Sequence, residues 1–149
     1  MNTKNKNLKI AIAGLGFGKK VHLEALKESQ YLTPVAIYHY EKAQKSILEK
    51  ETGLEFFHDW EDLVKSPEID GIIIATPPES RFKLAKQALE NNKNLLLEKP
   101  VSISSSEIEE LQRISLINNL SVCVDFEYRA VPLFLQTKKL IDENILGDI

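Results

Sequence analysis

The run Gly14-Leu15-Gly16-Phe17-Gly18-Lys19 places three glycines in five residues, directly after an apolar segment. Glycine at such a turn lets a pyrophosphate reach backbone N–H groups that a Cβ would shield. A helix opening at the same point adds unpaired donors and a partial positive charge, the electrostatic complement of a phosphate. The spacing departs from Gly-x-Gly-x-x-Gly, because Lys19 holds the third position and Gly18 falls one residue early. A strand before the turn and a helix after it are the context that separates a dinucleotide site from a bare tight turn.

A ribose reader is expected ~20 residues further on, at the end of the second strand, where a carboxylate would bond the hydroxyls and repel a 2′-phosphate. Here the chain reads Tyr38-His39-Tyr40-Glu41-Lys42, with no acidic residue at the strand end itself. His39 removes the repulsion and Lys42 adds positive charge, which leans slightly to NADP. Glu41 stands close enough to serve NAD, and His39 with Tyr40 could equally do no more than cover the adenine edge. The expected cofactor is therefore NAD(P).

Two more chemistry-bearing segments follow apolar runs. Ala75-Thr76-Pro77-Pro78 leaves Gly71–Ala75 through residues that lack an N–H, a rigid exit that a ligand can approach. Glu98-Lys99-Pro100 places two charges straight after Leu95-Leu96-Leu97, which is costly without a task. A lysine there can move a proton if burial lowers its pKa toward neutrality; otherwise its charge orients a hydroxyl or stabilises an alkoxide. The competing reading is a solvated ion pair. Arg129, in Phe126-Glu127-Tyr128-Arg129, is expected at the same edge, either as a substrate or domain-junction contact or as the partner of Glu127. His22, His58 and Cys123 read as structural. No His/Cys/Asp grouping has metal-ligand spacing, so no metal is expected.

Elements that would hold these segments alternate along the chain. Strands are expected over 8–13, 34–39, 54–57, 71–75, 94–97 and 121–125. Helices are expected from the glycine turn to about Glu28, over 41–50, after Asp59, over 79–91, after the cap candidates Ser104–Ser106, and over 131–144. In the second helix Ala43, Ile47 and Leu48 would share a buried face. The continuous apolar run Gly-Ile-Ile-Ile-Ala at 71–75 implies burial on both sheet faces. Strand–helix alternation of this kind implies parallel strands with crossovers on both sides, a single doubly wound α/β domain of Rossmann type.

Composition bounds the function classes. The chain has 149 residues, 43% hydrophobic and 28% charged, with net charge −3, and is neither disordered nor basic enough for a general nucleic-acid binder. One cysteine excludes an internal disulfide framework and accords with a reducing cytoplasmic setting. The Lys/Asn-rich start, about 1–7, reads as a short frayed leader. No run approaches the ~20 apolar residues of a membrane span.

In order and spacing, Gly14-Leu15-Gly16-Phe17-Gly18 with His22, Ala75-Thr76-Pro77, Glu98-Lys99-Pro100, and Asp125 to Arg129 with Pro132 resemble the Gfo/Idh/MocA oxidoreductase family. The resemblance covers essentially the whole chain. It implies that Ala75, Thr76 and Pro77 line the dinucleotide, that Glu98 lies near it, and that Lys99 assists proton transfer at the substrate hydroxyl. With Gly14, Gly16, Phe17, Gly18 and His39 these are the candidate cofactor residues. Arg81 stands where many relatives carry histidine, so no family role transfers to it. Relatives continue into a second α/β domain that supplies most of the substrate pocket, a catalytic histidine and a homo-oligomer interface. On that reading the chain is the NAD(P)-binding half of an oxidoreductase acting on a small sugar, cyclitol or related hydroxyl/carbonyl compound, with 125–149 forming the crossover. Alone it would bind dinucleotide with little turnover. The alternative is a dinucleotide-sensing or protein-interaction module without chemistry.

Overall fold

A computed structural model describes residues 7–145 and 147. Six strands form one parallel sheet: β1 (Leu8–Ala13), β2 (Leu32–Tyr38), β3 (Glu55–Phe57), β4 (Gly71–Ile74), β5 (Asn94–Glu98) and β6 (Val122–Asp125). Their order across the sheet is β3-β2-β1-β4-β5-β6. The order reverses between β1 and β4, and in open α/β sheets that reversal opens a crevice at the carboxyl ends of the strands. The expected Rossmann-type fold is the one observed.

Alternation along the strands explains why both faces are covered. Ala11, Ala13, Ile72 and Ile74 point into the larger core, where α3 (Trp60–Lys65), α4 (Pro78–Glu90) and α5 (Ser105–Ile117) bring Leu63, Ala85, Ala88, Leu89 and Leu111. Ile10, Ile12 and Ile73 point the other way, onto Leu23 and Leu26 of α1 (Leu23–Lys27). Fully burying one such isoleucine stabilises the fold by about 1.5–3 kcal/mol. β4 is buried along its whole length, as its unbroken apolar run predicts. The β1–β2 register shifts after Ile10, which pairs with Pro34; proline has no N–H to give the ladder.

Several local expectations need correction. The second helix is split into a short 3-10 turn, Lys42–Gln44, and α2 (Lys45–Thr52). Of its proposed face only Leu48 is buried; Ala43 lies in the 3-10 turn, and Ile47, about 100° round α2 from Leu48, is exposed. Ser104 occupies the N-cap position of α5, but its hydroxyl bonds Ser106 Oγ rather than a backbone amide. Asp59 does cap α3, accepting from the amides of Glu61 and Asp62. A 3-10 turn, Glu127–Ala130, precedes the last helix, α6 (Pro132–Asp142), which starts one residue later and ends two residues earlier than expected. His58 and Cys123 are exposed, so neither packs the core. Of the expected leader, residues 1–6 lie outside the described residues. Among the described residues no helix is long and apolar enough to cross a membrane.

Candidate dinucleotide and catalytic site

At the crevice between β1 and β4 the chain leaves three strands around one cleft of about 810 Å³. Gly14 and Gly16 come from the exit of β1, His39 from that of β2, and Ala75, Thr76 and Pro77 from that of β4. These six sequence-predicted residues are thereby brought together. Tyr40, weighed above as a cover for the adenine edge, also lines it, and Leu15, Tyr38, Glu79, Ser80 and Leu84, which were not foreseen, complete the walls. The signal for Glu79 and Ser80 lay in Pro77-Pro78, which starts α4 directly at the strand end.

The three glycines divide the work of the turn. Gly14 has φ +118°, and a Cβ there would overlap the Ala75 carbonyl oxygen. Gly18 packs against β1 and β4, its built Cβ 3.1 Å from Ile12 Cγ2 and 3.3 Å from Ala75 Cβ. The close helix–sheet contact that the third glycine of the fingerprint provides thus falls to Gly18, and Lys19 at the nominal position obstructs nothing. Gly16 is different: no atom lies within 4 Å of where its Cβ would be, and it faces the cleft. The backbone after it turns through a π-type turn, Gly18–His22, into α1. First-turn N–H groups of a helix have no intrahelical acceptor, so this cradle fits a pyrophosphate.

At the ribose end, His39 Nδ1 accepts a hydrogen bond from the Glu41 amide at 3.2 Å, and its ring tilts against Tyr40 with centroids 4.5 Å apart. With Nδ1 accepting, the neutral ring carries its proton on Nε2, leaving a donor for a ribose oxygen or phosphate. Glu41 is exposed and beyond the strand end.

Phe17, Gly18, Glu98, Lys99 and Arg129 do not line this cleft. Glu98 ends β5 and is buried; its Oε1 lies 2.9 Å from His22 Nε2, and its Oε2 accepts from the Lys99 amide at 3.2 Å. Phe17 packs edge-on against the same His22 ring, 5.2 Å between centroids. Asp125, at the end of β6, reaches within 3.7 Å of His22 Nε2. Burial raises the Asp125 pKa; His22 opposes the rise and Glu98 adds to it. His22 is thus packed, as expected, but it is also polar-bonded. The fold gathers His22, Glu98 and Asp125, with donor atoms within 4.8 Å of one another, into a grouping that no sequence spacing announced.

Lys99 and Arg129 line a second cavity of about 470 Å³, with Phe126, Glu127 and Tyr128. Lys99 Nζ donates to Glu127 Oε1 at 2.7 Å and the side chain is 45% exposed. This hydrogen bond and the partner's charge raise the Lys99 pKa and lower that of Glu127. Of the two alternatives for Lys99, the condition for the first, burial that lowers its pKa toward neutrality, is not met, because water and a carboxylate both favour the ammonium. Glu127 is the partner of Lys99 rather than of Arg129, which has no ion-pair partner among the described residues.

Between the two cavities lies Arg81, which sequence reasoning left without a role. It is buried in α4 and donates to the carbonyl oxygens of Thr76, Glu98 and Pro100. Its only sequence signal was its departure from histidine.

The family model of an oxidoreductase family with NAD-binding Rossmann fold matches residues 8–126. An uncharacterized oxidoreductase of Synechocystis sp. is 36% identical over 148 residues, covering 99% of this chain and 40% of that protein. Inositol 2-dehydrogenase of Rhodococcus jostii is 27% identical over 149 residues, covering 97% of this chain and 40% of its own length. The solved scyllo-inositol dehydrogenase of Lactobacillus casei, with bound NAD(H) and scyllo-inositol, superposes with TM-score 0.87 at 29% identity. That superposition covers 97% of this chain and 43% of the other. The chain spans less than half the length of each of these proteins. A glycine turn uncrowded at Gly16, in a sheet that superposes on a dehydrogenase, agrees with the family match, and the chain belongs to the Gfo/Idh/MocA oxidoreductase family, of which it carries the NAD-binding Rossmann domain.

Proposed function

We propose that this chain is the cofactor-binding half of an NAD(P)-dependent oxidoreductase whose substrate is a cyclitol, a sugar or a related hydroxyl/carbonyl compound. Alone, it binds dinucleotide with little turnover. The observation that carries the reading is the cleft at the β1–β4 reversal, open at Gly16 and closed by packing at Gly14 and Gly18. Gly16 would meet the pyrophosphate on a turn whose shape Gly14 and Gly18 fix by packing, with His39 at the ribose and Ala75, Thr76 and Pro77 as the wall toward the nicotinamide. The lean to NADP rests on His39 standing where a carboxylate would repel a 2′-phosphate, with Lys42 nearby.

When bound, the nicotinamide supplies a carbon that gives or takes hydride. The protein's part is charge and position. Lys99, held protonated by Glu127, can hydrogen-bond a hydroxyl or carbonyl oxygen through Nζ and stabilise negative charge developing there. Glu98, buried and tied to His22, would hold the Lys99 backbone at the cleft edge. Arg129, exposed beside the same cavity, supports a substrate or domain contact. A cyclitol is favoured by the inositol dehydrogenases among the relatives.

The exposed apolar residues of α6, Leu133, Phe134, Leu135 and Ile141, support association with a further domain. Titration of the purified chain with NADH and NADPH, followed by calorimetry, tests the reading. Saturable binding of either is expected, with the tighter one NADPH. No saturable binding of either overturns the proposal, and equal affinities overturn the NADP lean.

A further inference from the structure

Arg81 sits in the first half of α4, on the helix face that otherwise buries Ala85, Ala88 and Leu89. Its residue exposure is 4%, the lowest of any buried polar residue described. Placing a charge there is unfavourable unless something compensates it, and an apolar side chain would fill the space without that cost. The compensation is specific. Nη2 donates to the Thr76 carbonyl, whereas Nη1 donates to the carbonyls of Glu98 and Pro100. Nε has no partner, so the two terminal nitrogens make all of the guanidinium's hydrogen bonds to the two loops. Burial lowers the Arg81 pKa and the nearby carboxylates of Glu98 and Glu79 oppose the drop; the guanidinium stays charged.

Those loops belong to different cavities. Thr76 is in the wall of the large cleft, and Glu98 and Pro100 bracket Lys99 in the other. Each loop follows a strand end, where ladder hydrogen bonds stop and the backbone needs other partners. One planar fork supplies them to both, which a lysine ammonium on a flexible stem cannot reproduce.

We propose that Arg81 is a positioning residue that fixes the Ala75–Pro77 wall of the dinucleotide cleft relative to the Glu98–Pro100 loop, so that the nicotinamide end of a bound dinucleotide meets Lys99. The inference rests on the dinucleotide reading above and adds to it a residue that touches neither cofactor nor substrate.

Calorimetric titration of the chain with NADH and with ADP tests it, because ADP reaches only the glycine turn and the His39 end. The wild-type chain binds both on the dinucleotide reading. Binding of neither overturns that reading and this one together. Given wild-type binding, Arg81→Gln and Arg81→Lys weaken NADH about tenfold, the loss expected for charged hydrogen bonds that no longer align the loops. ADP affinity stays within about twofold. Equal weakening of both ligands, or a lowered Tm with both affinities unchanged, means that Arg81 only supports the fold, and overturns the positioning role while leaving the dinucleotide reading intact. Should Arg81→Gln fail to fold, Arg81→Lys keeps the buried charge and carries the same comparison.

Discussion

From Ile10 to Ala13 of β1 and along the whole of β4 every residue is buried, with Ile12, Ile72 and Ile74 essentially inaccessible to solvent. At the β6 side, α6 has no buried residue at all, and Leu133 is 72% exposed although it is as apolar as anything in the core. The two regions also differ in what positions their functional groups. In the centre, backbone meets backbone: Gly14 lies against the Ala75 carbonyl and Gly18 against Ile12 and Ala75, so the cleft's shape follows from close packing. At the edge, two partly exposed side chains meet directly: Lys99 is held by Glu127 on a 3-10 turn. The lesson is that steric complementarity shapes the central turn, whereas Lys99 is placed by an electrostatic contact that solvent can weaken.

Gly14→Ala should strike that contrast hardest. A methyl group meets the Ala75 carbonyl in a left-handed backbone conformation, so the substitution costs about 3 kcal/mol or more, read as a drop in the urea midpoint. An unchanged midpoint would show that the centre is looser than its packing implies. Gly16→Ala, two residues away, separates packing from recognition. Its methyl group meets no protein atom, so stability stays within about 1 kcal/mol, while NADH affinity falls about tenfold as the approach to the backbone closes. Equal binding by the variant would place the pyrophosphate elsewhere.

Glu127→Gln tests the edge and has the smallest effect on the fold. The raised Lys99 pKa contributes stability that is full below the ordinary lysine value and is lost as pH rises through the folded value. The lowered Glu127 pKa contributes stability that is present above the ordinary carboxylate value and is lost as pH falls through the folded one. Wild type and variant therefore differ most near neutral pH and converge at both extremes. Urea melts across the pH range check the stability profile, and amine-labelling rates should show Lys99 deprotonating at lower pH in the variant. Parallel profiles with an unshifted lysine would remove Glu127 from its role.

Much of the fold was legible along the chain. The apolar run Gly71–Ile74 reads as a doubly covered strand and is one, and Asp59 before Trp60 reads as a cap and sets its carboxylate on the free amides of α3. Leu48 is buried as read, whereas Ile47 was misread: neighbouring residues in a helix point about 100° apart, and only the packing of α2 decides which of the two meets the sheet. Of the candidate site, the six residues that share the cleft all sit at strand ends, where alternation of elements already places them side by side.

Local pattern is sufficient for such features because turns, caps and strand burial depend on residues within a few positions of one another. It settled the Rossmann sheet, the glycine turn and the strand-end placement of Thr76 and Lys99. Contacts between residues far apart in the chain were decided by the tertiary structure alone. His22 finds Glu98 across 76 residues, Lys99 finds Glu127 across 28, and Arg81 reaches the Glu98 carbonyl across 17. Each pairing brings a group at the end of β5 to a partner on another element, His22 on the turn into α1, Glu127 on the 3-10 turn after β6 or Arg81 on α4, at a distance that follows from how helices and strands pack, not from any spacing along the chain.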